Sequence, residues 1–364
     1  MSRRIRVAVI FGGRSSEHSI SCVSAGSVLR SIDRTRYDVF PIGITKSGQW
    51  VLETDSANRL SIVGGQFPVV NETRPALSFT TDPTATQLVV HSPTPKLLDQ
   101  FDVIFPVLHG PFGEDGTIQG LLELVGVPYV GSGVFASAAC MDKAHTKAIL
   151  RAADLPVGPY EVVTDLDWRL SRQATIERVS KLGLPIFVKP ARAGSSVGIT
   201  KAKTFHDLVH AIEIAREHDP KVICEASIEG SREIECGVLD SESGPRASMV
   251  AEIIIRTGHE FYDFDAKYVD DTVDLVVPAH LPESISEAAR ELACKAFTAL
   301  GCEGLARVDM FIAGGRILIN EINTMPGFTP ISMFPRMWQE TGMDYPTLVD
   351  ALIQDALRRG TGLR

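Results

Sequence analysis

The sequence lacks the features that define several large classes of protein. Its six cysteines are scattered without a C-x-x-C pair, which argues against a zinc site or a disulfide framework and favours a reduced, cytoplasmic environment. Lysine and arginine number 36 against 45 acidic residues, and the net charge of −9 argues against a nucleic-acid partner. No apolar run approaches the roughly 20 residues of a membrane span, and residues 7–11 are too short for the apolar core of a signal peptide. We therefore expect a globular protein, for which anionic small ligands remain possible.

A dinucleotide-binding fingerprint is missing as well. Residues 5–11 predict a buried strand, and G-G-R-S-S then leads into a helix that runs to about residue 31. This order of strand, loop and helix is typical of the first unit of an α/β domain, but G-x-G-x-x-G is absent. A nicotinamide-dependent dehydrogenase is therefore disfavoured.

Alternating strands and helices predict an α/β protein with two or three domains. At 364 residues the chain exceeds one comfortable hydrophobic core. A new unit begins near residue 141, and the long strands after residue 224 indicate a third, so we expect domains at 1–140, 141–223 and 224–364. Further strands are predicted at 101–108, 160–163, 185–190 and 222–225, and further helices at 117–125, 171–181, 204–217, 283–300 and 344–358.

Near the C-terminal end, the stretch N-E-I-N-T-M-P-G-F-T-P continues an apolar strand with polar side chains. Strand alternation would place Glu321 and Asn323 on the same face as Ile317 and Ile319. A buried carboxylate requires a cation, an ion pair or several hydrogen-bond donors. The strand therefore predicts a partner for Glu321 elsewhere in the chain.

That partner is predicted on the preceding strand, A-R-V-D-M-F-I, which a Gly-Gly turn joins to it in a hairpin. Pairing centred on residue 315 places Asp309 opposite Glu321 and Arg307 opposite Asn323. Two carboxylates and an amide oxygen, without histidine or cysteine, are suited to Mg²⁺ or Mn²⁺. The alternative is a carboxylate pair that Arg307 satisfies.

A loop of glycine and serine supplies candidate phosphate ligands. Residues 191–198, A-R-A-G-S-S-V-G, follow an apolar strand that carries Lys189, so backbone N–H groups and serine hydroxyls could hold phosphate oxygens beside the lysine charge. A flexible turn has the same composition. Lys143, at the start of a helix, is either a second phosphate ligand or a surface lysine. Residues 263–271, with a lysine among four acids, are either a solvated loop or a lid.

Together these motifs resemble those of the D-alanine–D-alanine ligase family of the ATP-grasp superfamily. The resemblance rests on F-G-G-R-S-S-E-H-S-I-S, H-G-P-F-G-E-D-G-T-I-Q-G, M-D-K, V-K-P-A-R-A-G-S-S-V-G, F-Y-D-F-D-A-K-Y, A-R-V-D and N-E-I-N-T-M-P-G-F-T, in this order along nearly the whole chain. It implies three α/β domains with ATP between the central and C-terminal sheets. It also implies that ATP drives the joining of two D-alanines through an acyl phosphate, for peptidoglycan synthesis.

The resemblance also assigns residues to ATP and to metal. Lysines and loop serines would contact the phosphates, the segment after residue 224 would line the adenine pocket, and Glu233 would contact the ribose. That segment holds one more residue before Glu233 than in most members of the family. The implied ATP-binding residues are Lys143, Lys189, Ser195, Ser196, Glu225, Ala226, Ile228, Glu233 and Lys267. The implied ligands of two magnesium ions, or of Mn²⁺, are Asp309, Glu321 and Asn323.

For the amino-acid substrates, the resemblance implies that Glu17 holds the ammonium group of the first D-alanine and that His109 lines the same pocket. A carboxylate at a helix N-terminus is also favourable by about 0.3 to 1 kcal/mol in its own right. For His109 the alternative is a structural histidine bonded to the backbone. Ser332 would bind the carboxylate of the second D-alanine, with Met333 beside it.

For the chemistry, the resemblance implies that Arg307 and the Gly327 N–H stabilise the oxyanion of the tetrahedral intermediate. Lys267 and Tyr268 would lie on a mobile loop that closes over the site, and Tyr268 could bond to Glu17 and Ser195. With tyrosine at this position the chain resembles the ligases that make a dipeptide, whereas the ligases that use D-lactate tend to carry phenylalanine.

The sequence leaves two other interpretations of the function open. One is another ATP-grasp ligase that accepts D-lactate or D-serine, and the other is a nucleotide sensor without catalytic activity. The resemblance further implies a homodimer formed through the N-terminal domain.

Overall fold

The computed structural model describes residues 3–80, 88–91, 96–98, 100–194, 197–255 and 273–362, which contain three β-sheets with helices packed on them. The α/β class is therefore confirmed. Each sheet takes its strands from one continuous part of the chain.

The first sheet has seven strands in the order β6-β5-β4-β3-β2-β1-β7. Its buried centre is parallel, because β1 pairs in parallel with both β2 and β7, while the outer strands extend it in antiparallel pairs. The strands are β1 (Ile5–Gly12), β2 (Tyr37–Ile44), β3 (Trp50–Leu52), β4 (Ala76–Phe79), β5 (Leu88–His91), β6 (Lys96–Leu98) and β7 (Val103–Val107). Its helices are α1 (His18–Ser31), a 3₁₀ turn at Ala57–Leu60, α2 (Thr117–Val125) and α3 (Val134–Met141).

The second sheet is antiparallel, in the order β10-β9-β11-β8. Its strands are β8 (Tyr160–Val163), β9 (Ile186–Pro190), β10 (Thr200–Ala202) and β11 (Val222–Ala226), and the accompanying helices are α4 (Lys143–Ala152), α5 (Asp165–Leu170), α6 (Arg172–Ser180) and α7 (Phe205–His218). Helix α7 shows how the sequence specifies such an element. Thr204 and Asp207 form a capping box at its start, and Leu208, Ala211, Ile212 and Ala215 bury one face of it at helical spacing.

The third sheet is antiparallel, in the order β14-β13-β12-β15-β16. Its strands are β12 (Arg232–Leu239), β13 (Arg246–Ile255), β14 (Val273–Val276), β15 (Leu305–Ala313) and β16 (Arg316–Asn323). Three helices follow β14 in sequence, namely α8 (Glu283–Ala299), α9 (Met333–Glu340) and α10 (Tyr345–Arg359).

The predicted pairing of the β15–β16 hairpin is confirmed, but the predicted face of β16 is wrong. Asp309 lies opposite Glu321, and Arg307 lies opposite Asn323. A β-bulge at this point breaks the alternation of side chains, because Met310 already pairs with Ile319.

As a result, two isoleucines three residues apart face the same core. Ile319 and Ile322 are 1% and 3% exposed and belong to one apolar cluster. Glu321 and Asn323 therefore lie on the opposite face from Ile319, whereas simple alternation placed all three together. The bulge leaves both isoleucines in the core and both polar side chains in the cleft described below.

The packing departs from the expected domain boundaries at two places. Strand β11 of the second sheet runs through the expected boundary at residues 223 and 224. Helix α10 lies in the expected C-terminal domain, yet Leu348, Leu352 and Ile353 pack in one core with strands of the first sheet. Across the described ranges, no helix combines the length and apolar character that crossing a bilayer would require.

Candidate active site

A cleft of about 1150 Å³ runs between the second and third sheets and reaches the first. Its walls bring together residues from the loops after β1 and β7, from helix α4, from strands β9, β11, β15 and β16, and from the loop before α9. Residues as far apart in sequence as Glu17 and Ser332 therefore share one concave surface, as ligand sites at domain junctions commonly do.

One wall of the cleft carries a carboxylate between two lysines. Lys189 on β9 places its Nζ 2.6 Å from Glu225 on β11, and Lys147 on α4 places its Nζ 2.8 Å from the other oxygen of Glu225. Strands β9 and β11 are paired neighbours, which explains why Lys189 and Glu225 meet. Two positive charges surround one negative charge, so the group of three side chains keeps a net positive charge that suits an anionic ligand.

These charges shift the pKa of each group away from its ordinary value. Burial alone would raise the pKa of Glu225, but the charges of Lys147 and Lys189 outweigh it and lower that pKa. Burial alone would lower the pKa of Lys189, but the charges of Glu225 and Glu321 outweigh it and raise that pKa. Both groups therefore remain ionised at neutral pH.

Lys143 connects the glycine and serine loop to the hairpin. It begins helix α4, where Asp142 caps the first turn by accepting hydrogen bonds from two backbone N–H groups. Its Nζ donates to the Ala193 carbonyl at 2.8 Å and lies 3.4 Å from Glu321 Oε2. Because Lys143 is held by these contacts, the alternative of a solvated surface lysine is disfavoured.

Strands β15 and β16 place an arginine among carboxylates. Arg307 donates from Nε and from a terminal nitrogen to both oxygens of Asp309, each at 2.7 Å, and its Nε lies 3.2 Å from Glu235. Burial alone would lower the pKa of Arg307, but Asp309 and Glu235 raise it well above the usual value. Asn323 donates to Asp309 at 3.0 Å.

The donor set around Asp309 fits a hard cation. Asp309, Glu321 and Asn323 project carboxylate and amide oxygens from paired positions of one hairpin, and they border the cleft. Among the described residues, no group of three or more histidine, cysteine or acidic side chains is arranged so that it could hold a metal ion by itself. Such a partial set suits Mg²⁺, which is commonly held by one or two carboxylates together with substrate phosphates.

The far end of the cleft is formed by the first sheet. Glu17 precedes α1 and is 8% exposed. Two glycines crowd its carboxylate, since a Cβ on Gly110 would lie 2.6 Å from Glu17 Oε2 and one on Gly194 would lie 3.0 Å from it. The glycine and serine loop therefore approaches Glu17 directly, and a side chain at Gly110 or Gly194 would require the Glu17 carboxylate to shift.

His109 has both ring nitrogens bonded within the protein. Nε2 lies 3.1 Å from the Ser24 hydroxyl, and Nδ1 lies 3.0 Å from the Met325 carbonyl. Burial lowers the pKa of His109, although the Glu17 charge opposes the shift. His109 lines the cleft, and its ring bonds agree with the alternative of a structural histidine.

Gly327 and Ser332 lie close together at the edge of the same end. A Cβ on Gly327 would lie 3.1 Å from Ser332 Oγ. Ser332 Oγ accepts from the Thr329 N–H at 3.0 Å and lies 2.7 Å from the Thr329 hydroxyl. Met333, the first residue of α9, is buried and borders the cleft.

The remaining expected residues divide into two groups. Ala226, Ile228 and Glu233 border the cleft beside Glu225, on the side of the lysine pair. Ser195, Ser196, Lys267 and Tyr268 lie outside the described residues.

Two acid–base residues of the cleft were not expected from the sequence. Lys147 follows Lys143 by four residues on a helix, a spacing that places both on one face and could have revealed it. Glu114 accepts from the Gly110 N–H at 2.7 Å and from the Met325 N–H at 3.0 Å. Burial and the Glu17 charge raise the pKa of Glu114 to about 8. The only sequence signal for Glu114 is its place in a glycine-rich loop, because no local pattern links it to its distant partner Met325.

The chain matches known proteins along nearly its whole length. Residues 6–132 match the family model described as D-ala D-ala ligase N-terminus, and residues 149–354 match that described as D-ala D-ala ligase C-terminus. The D-alanine--D-alanine ligase of Nocardia farcinica is 56% identical over 368 residues, covering 100% of both chains. That of Streptomyces griseus is 55% identical over 373 residues, covering 100% of this chain and 95% of the relative.

Solved structures show the same architecture. The VanG D-Ala:D-Ser ligase of Enterococcus faecalis superposes with a TM-score of 0.85 at 34% identity, covering 97% of this chain and 100% of that one. The D-alanine-D-alanine ligase of Coxiella burnetii superposes with a TM-score of 0.82 at 32% identity, covering 98% and 95%. With both family models matched and relatives of this similarity along the full length, the chain belongs to the D-alanine–D-alanine ligase family.

Proposed function

We propose that the protein uses ATP to join two D-alanines into D-alanyl-D-alanine for peptidoglycan synthesis. The observation that carries this proposal is the cleft itself, where buried lysines, a hairpin of oxygen donors and Glu17 meet along one surface. Membership of the ligase family supplies the chemistry that this surface serves.

The proposed reaction has two steps. The carboxylate of the first D-alanine attacks the γ-phosphorus of ATP, which releases ADP and forms an acyl phosphate. The amine of the second D-alanine then attacks the acyl carbon to give a tetrahedral intermediate. This intermediate expels inorganic phosphate, the nitrogen loses a proton, and the new C–N bond remains.

The phosphates of ATP are proposed to lie beside Lys143 and Lys189, with Ser195 and Ser196 as further phosphate contacts. Lys143 already bridges that loop and Glu321, so its ammonium lies where transferred phosphate and metal ligands would meet. Glu225, Ala226 and Ile228 would surround the adenine, and Glu233 would contact the ribose.

Asp309, Glu321 and Asn323 are proposed to hold magnesium, as two ions, or manganese. When bound, such ions neutralise the charge that accumulates on the phosphate oxygens during transfer. Arg307 is held at this place by Asp309 and Glu235, so its direction is set before substrate arrives.

The amino-acid substrates are proposed to occupy the opposite end. Glu17 would bind the ammonium group of the first D-alanine, with His109 shaping the pocket, and Ser332 and Met333 would contact the second. The N–H of Gly327 would stabilise the oxyanion together with Arg307. Tyr268 and Lys267 would close over the site and exclude water from the acyl phosphate.

For the whole chain, we propose a homodimer in the cytoplasm. We also propose three structural domains centred on the three sheets, with ATP between the second and third. The central one would end after β11 rather than at residue 223, since β11 pairs with β8 and β9.

The proposed function is tested by phosphate release from ATP and Mg²⁺ with D-alanine, with L-alanine as the control and mass detection of the product. D-serine and D-lactate as second substrates address the alternative suggested by the likeness to a D-Ala:D-Ser ligase. We expect turnover that depends on D-alanine and yields D-alanyl-D-alanine. ATP binding without such turnover would contradict the proposal and favour a nucleotide sensor.

The metal assignment is tested by Asp309→Asn. We expect kcat to fall by on the order of 100-fold or more, because an electrostatic contact to the reacting charge is weakened. The fold should persist, since Arg307 keeps Glu235 as a partner. Circular dichroism checks the fold, and Asp38→Asn, which alters a carboxylate paired with Arg4 on the first sheet, is the control. Turnover close to wild type in Asp309→Asn would refute the assignment.

A further inference from the structure

The segment that carries Gly327 has little regular structure of its own. Strand β16 ends at Asn323, and the residues from 324 to 328 belong to neither a helix nor a strand. Pro326 lacks a backbone N–H, so this segment has one donor fewer than its length suggests. The direction of the Gly327 N–H must therefore be set by contacts from other parts of the chain.

Side chains of the first sheet's loops hold both backbone groups of Met325, two residues before Gly327. Glu114 accepts from the Met325 N–H at 3.0 Å, and His109 Nδ1 lies 3.0 Å from the Met325 carbonyl. Since a carbonyl can only accept, His109 donates from Nδ1, and its Nε2 then accepts from the Ser24 hydroxyl. One residue of the C-terminal part is thus held from two sides.

Glu114 is itself anchored. Its second carboxylate oxygen accepts from the Gly110 N–H at 2.7 Å, and Gly110 follows His109 directly. The carboxylate therefore links the loop after β7 to the Met325 backbone. Both oxygens of the Glu114 carboxyl group accept from backbone N–H groups here, whereas an amide has only one accepting oxygen.

The other side of Gly327 is held as well. The Tyr345 hydroxyl donates to the Phe328 carbonyl at 2.6 Å, and the Phe328 ring is 0% exposed in the core shared by α10 and the first sheet. Gly327 thus lies between two fixed neighbours. Within the part of the chain that the structure describes, no backbone carbonyl accepts from the Gly327 N–H, which is consistent with its proposed role as an oxyanion donor.

We propose that Glu114 is a positioning residue for the second chemical step, because it holds the Met325 backbone and so aims the Gly327 N–H at the oxyanion. This inference rests on the proposed function and deepens it. Glu114 touches neither reacting atom and acts through the segment of residues 324–328. His109 shares the task, which gives its buried ring a role besides lining the substrate pocket.

Glu114→Gln tests this proposal, because the side chain keeps its length but presents an NH₂ group to one of the two N–H donors. Loss of a whole oxyanion donor costs about 100- to 1000-fold in kcat, so misalignment should cost on the order of 10- to 100-fold. The KM for ATP should stay within about twofold, because the ATP contacts lie elsewhere in the cleft. Asp102→Asn is the matched control, since Asp102 also accepts from a backbone N–H, that of Arg6 at 2.7 Å.

A second readout separates positioning from general damage. Acyl-phosphate formation precedes the tetrahedral intermediate, so exchange of ¹⁸O between the bridging and non-bridging positions of ATP should fall less than dipeptide formation. A higher ratio of exchange to net turnover in Glu114→Gln supports the proposal. Equal loss of both, or a kcat within about twofold of wild type, would overturn it.

Glu114→Asp retains the carboxyl group but is one methylene too short to reach both donors. We expect it to lose kcat as Glu114→Gln does, whereas a role that needs only a carboxyl group at this place predicts activity like wild type. If Glu114→Gln does not fold, the same measurements on Glu114→Asp decide.

Amide hydrogen exchange over residues 324–329 needs no turnover. Faster exchange in the Glu114 variants than in Asp102→Asn is expected, and unchanged exchange would refute the positioning role. Absence of D-alanine-dependent turnover in the wild type would instead refute the proposed function, so the two failures are distinguishable.

Discussion

At the scale of single residues, the cleft is organised by charge pairs in which each partner depends on the other. Glu225 is 8% exposed and lies within 2.8 Å of two ammonium groups. Removing one member of such a buried group leaves the charge of its partners uncompensated. This lowers the stability more than replacing the whole group by apolar side chains would. These side chains therefore contribute to stability in addition to the binding role proposed for the cleft.

The first prediction concerns the acid stability of this group. The folded pKa of Glu225 lies below its unfolded value. Its contribution is therefore fully present above the unfolded value of about 4.3 and is lost as pH falls through the folded pKa. Glu225→Gln should lower the unfolding free energy at neutral pH by about 3 to 5 kcal/mol. The Glu225→Gln variant should also lose less unfolding free energy than wild type as the pH falls from about 5 to about 3.

Urea unfolding at a series of pH values measures both effects. Glu123→Gln serves as the control, because Glu123 bonds Tyr129 and Gly362 at the surface of the first sheet. An acid limb of the stability curve in Glu225→Gln as steep as in wild type would show that Glu225 does not contribute to it.

At the scale of elements, the hairpin of β15 and β16 depends on one extra residue. The two-glycine turn pairs Ala313 with Arg316, and a regular ladder continued from it would place Asn320 opposite Asp309. The bulge absorbs Asn320, so that Glu321 takes that place and Ile322 returns to the core beside Ile319. A site of hard oxygen donors thus depends on a local irregularity of the strand.

Two single-residue deletions test this account. Deleting Asn320 removes the bulge, keeps Glu321 opposite Asp309 and leaves Ile319 in the core. Deleting Leu318 also lets Glu321 pair with Asp309 but turns Asn320 into the core in place of Ile319. We expect the Leu318 deletion to be less stable than the Asn320 deletion by about 2 to 5 kcal/mol, the usual cost of losing a large buried side chain.

Urea unfolding of the two variants gives this difference directly. Equal stabilities, or a less stable Asn320 deletion, would show that the bulge is required for more than absorbing one residue.

At the scale of the whole molecule, the last helix closes the chain onto its beginning. Helix α10 buries Leu348, Leu352 and Ile353 in the core of the first sheet. Tyr37, at the start of β2, donates to Asp350 and accepts from Gln354 at 2.7 Å. The segment of residues 324–328 joins the same arrangement, because the Tyr345 hydroxyl donates to the Phe328 carbonyl.

The prediction at this scale is that Leu352→Ala destabilises the protein by about 2 to 5 kcal/mol, because it leaves a cavity between α10 and the first sheet. Leu170→Ala is the control, since Leu170 is 74% exposed and surface changes usually stay within about 0.5 kcal/mol. Urea unfolding compares the two. A loss in Leu352→Ala no larger than in the control would show that α10 does not support the first sheet.

Much of the local structure could be read from the sequence because its signals are short-ranged. The strand of β9, the helices α2 and α7, and the pairing of Asp309 with Glu321 follow from apolar period, caps and a glycine turn. The lysines and oxygen donors were recognisable as types suited to phosphate and metal. The family motifs ordered them along the chain.

Short-range signals along the chain therefore specify which elements form and which side chains carry charge. Which of these side chains meet depends on how the sheets and helices pack. The bulge that turned Glu321 away from Ile319, the second lysine on Glu225, the return of α10 to the first sheet and the hold of Glu114 on Met325 all depend on packing between distant segments. No local pattern records such contacts, because their partners are separated by tens to hundreds of residues and meet only when the sheets assemble.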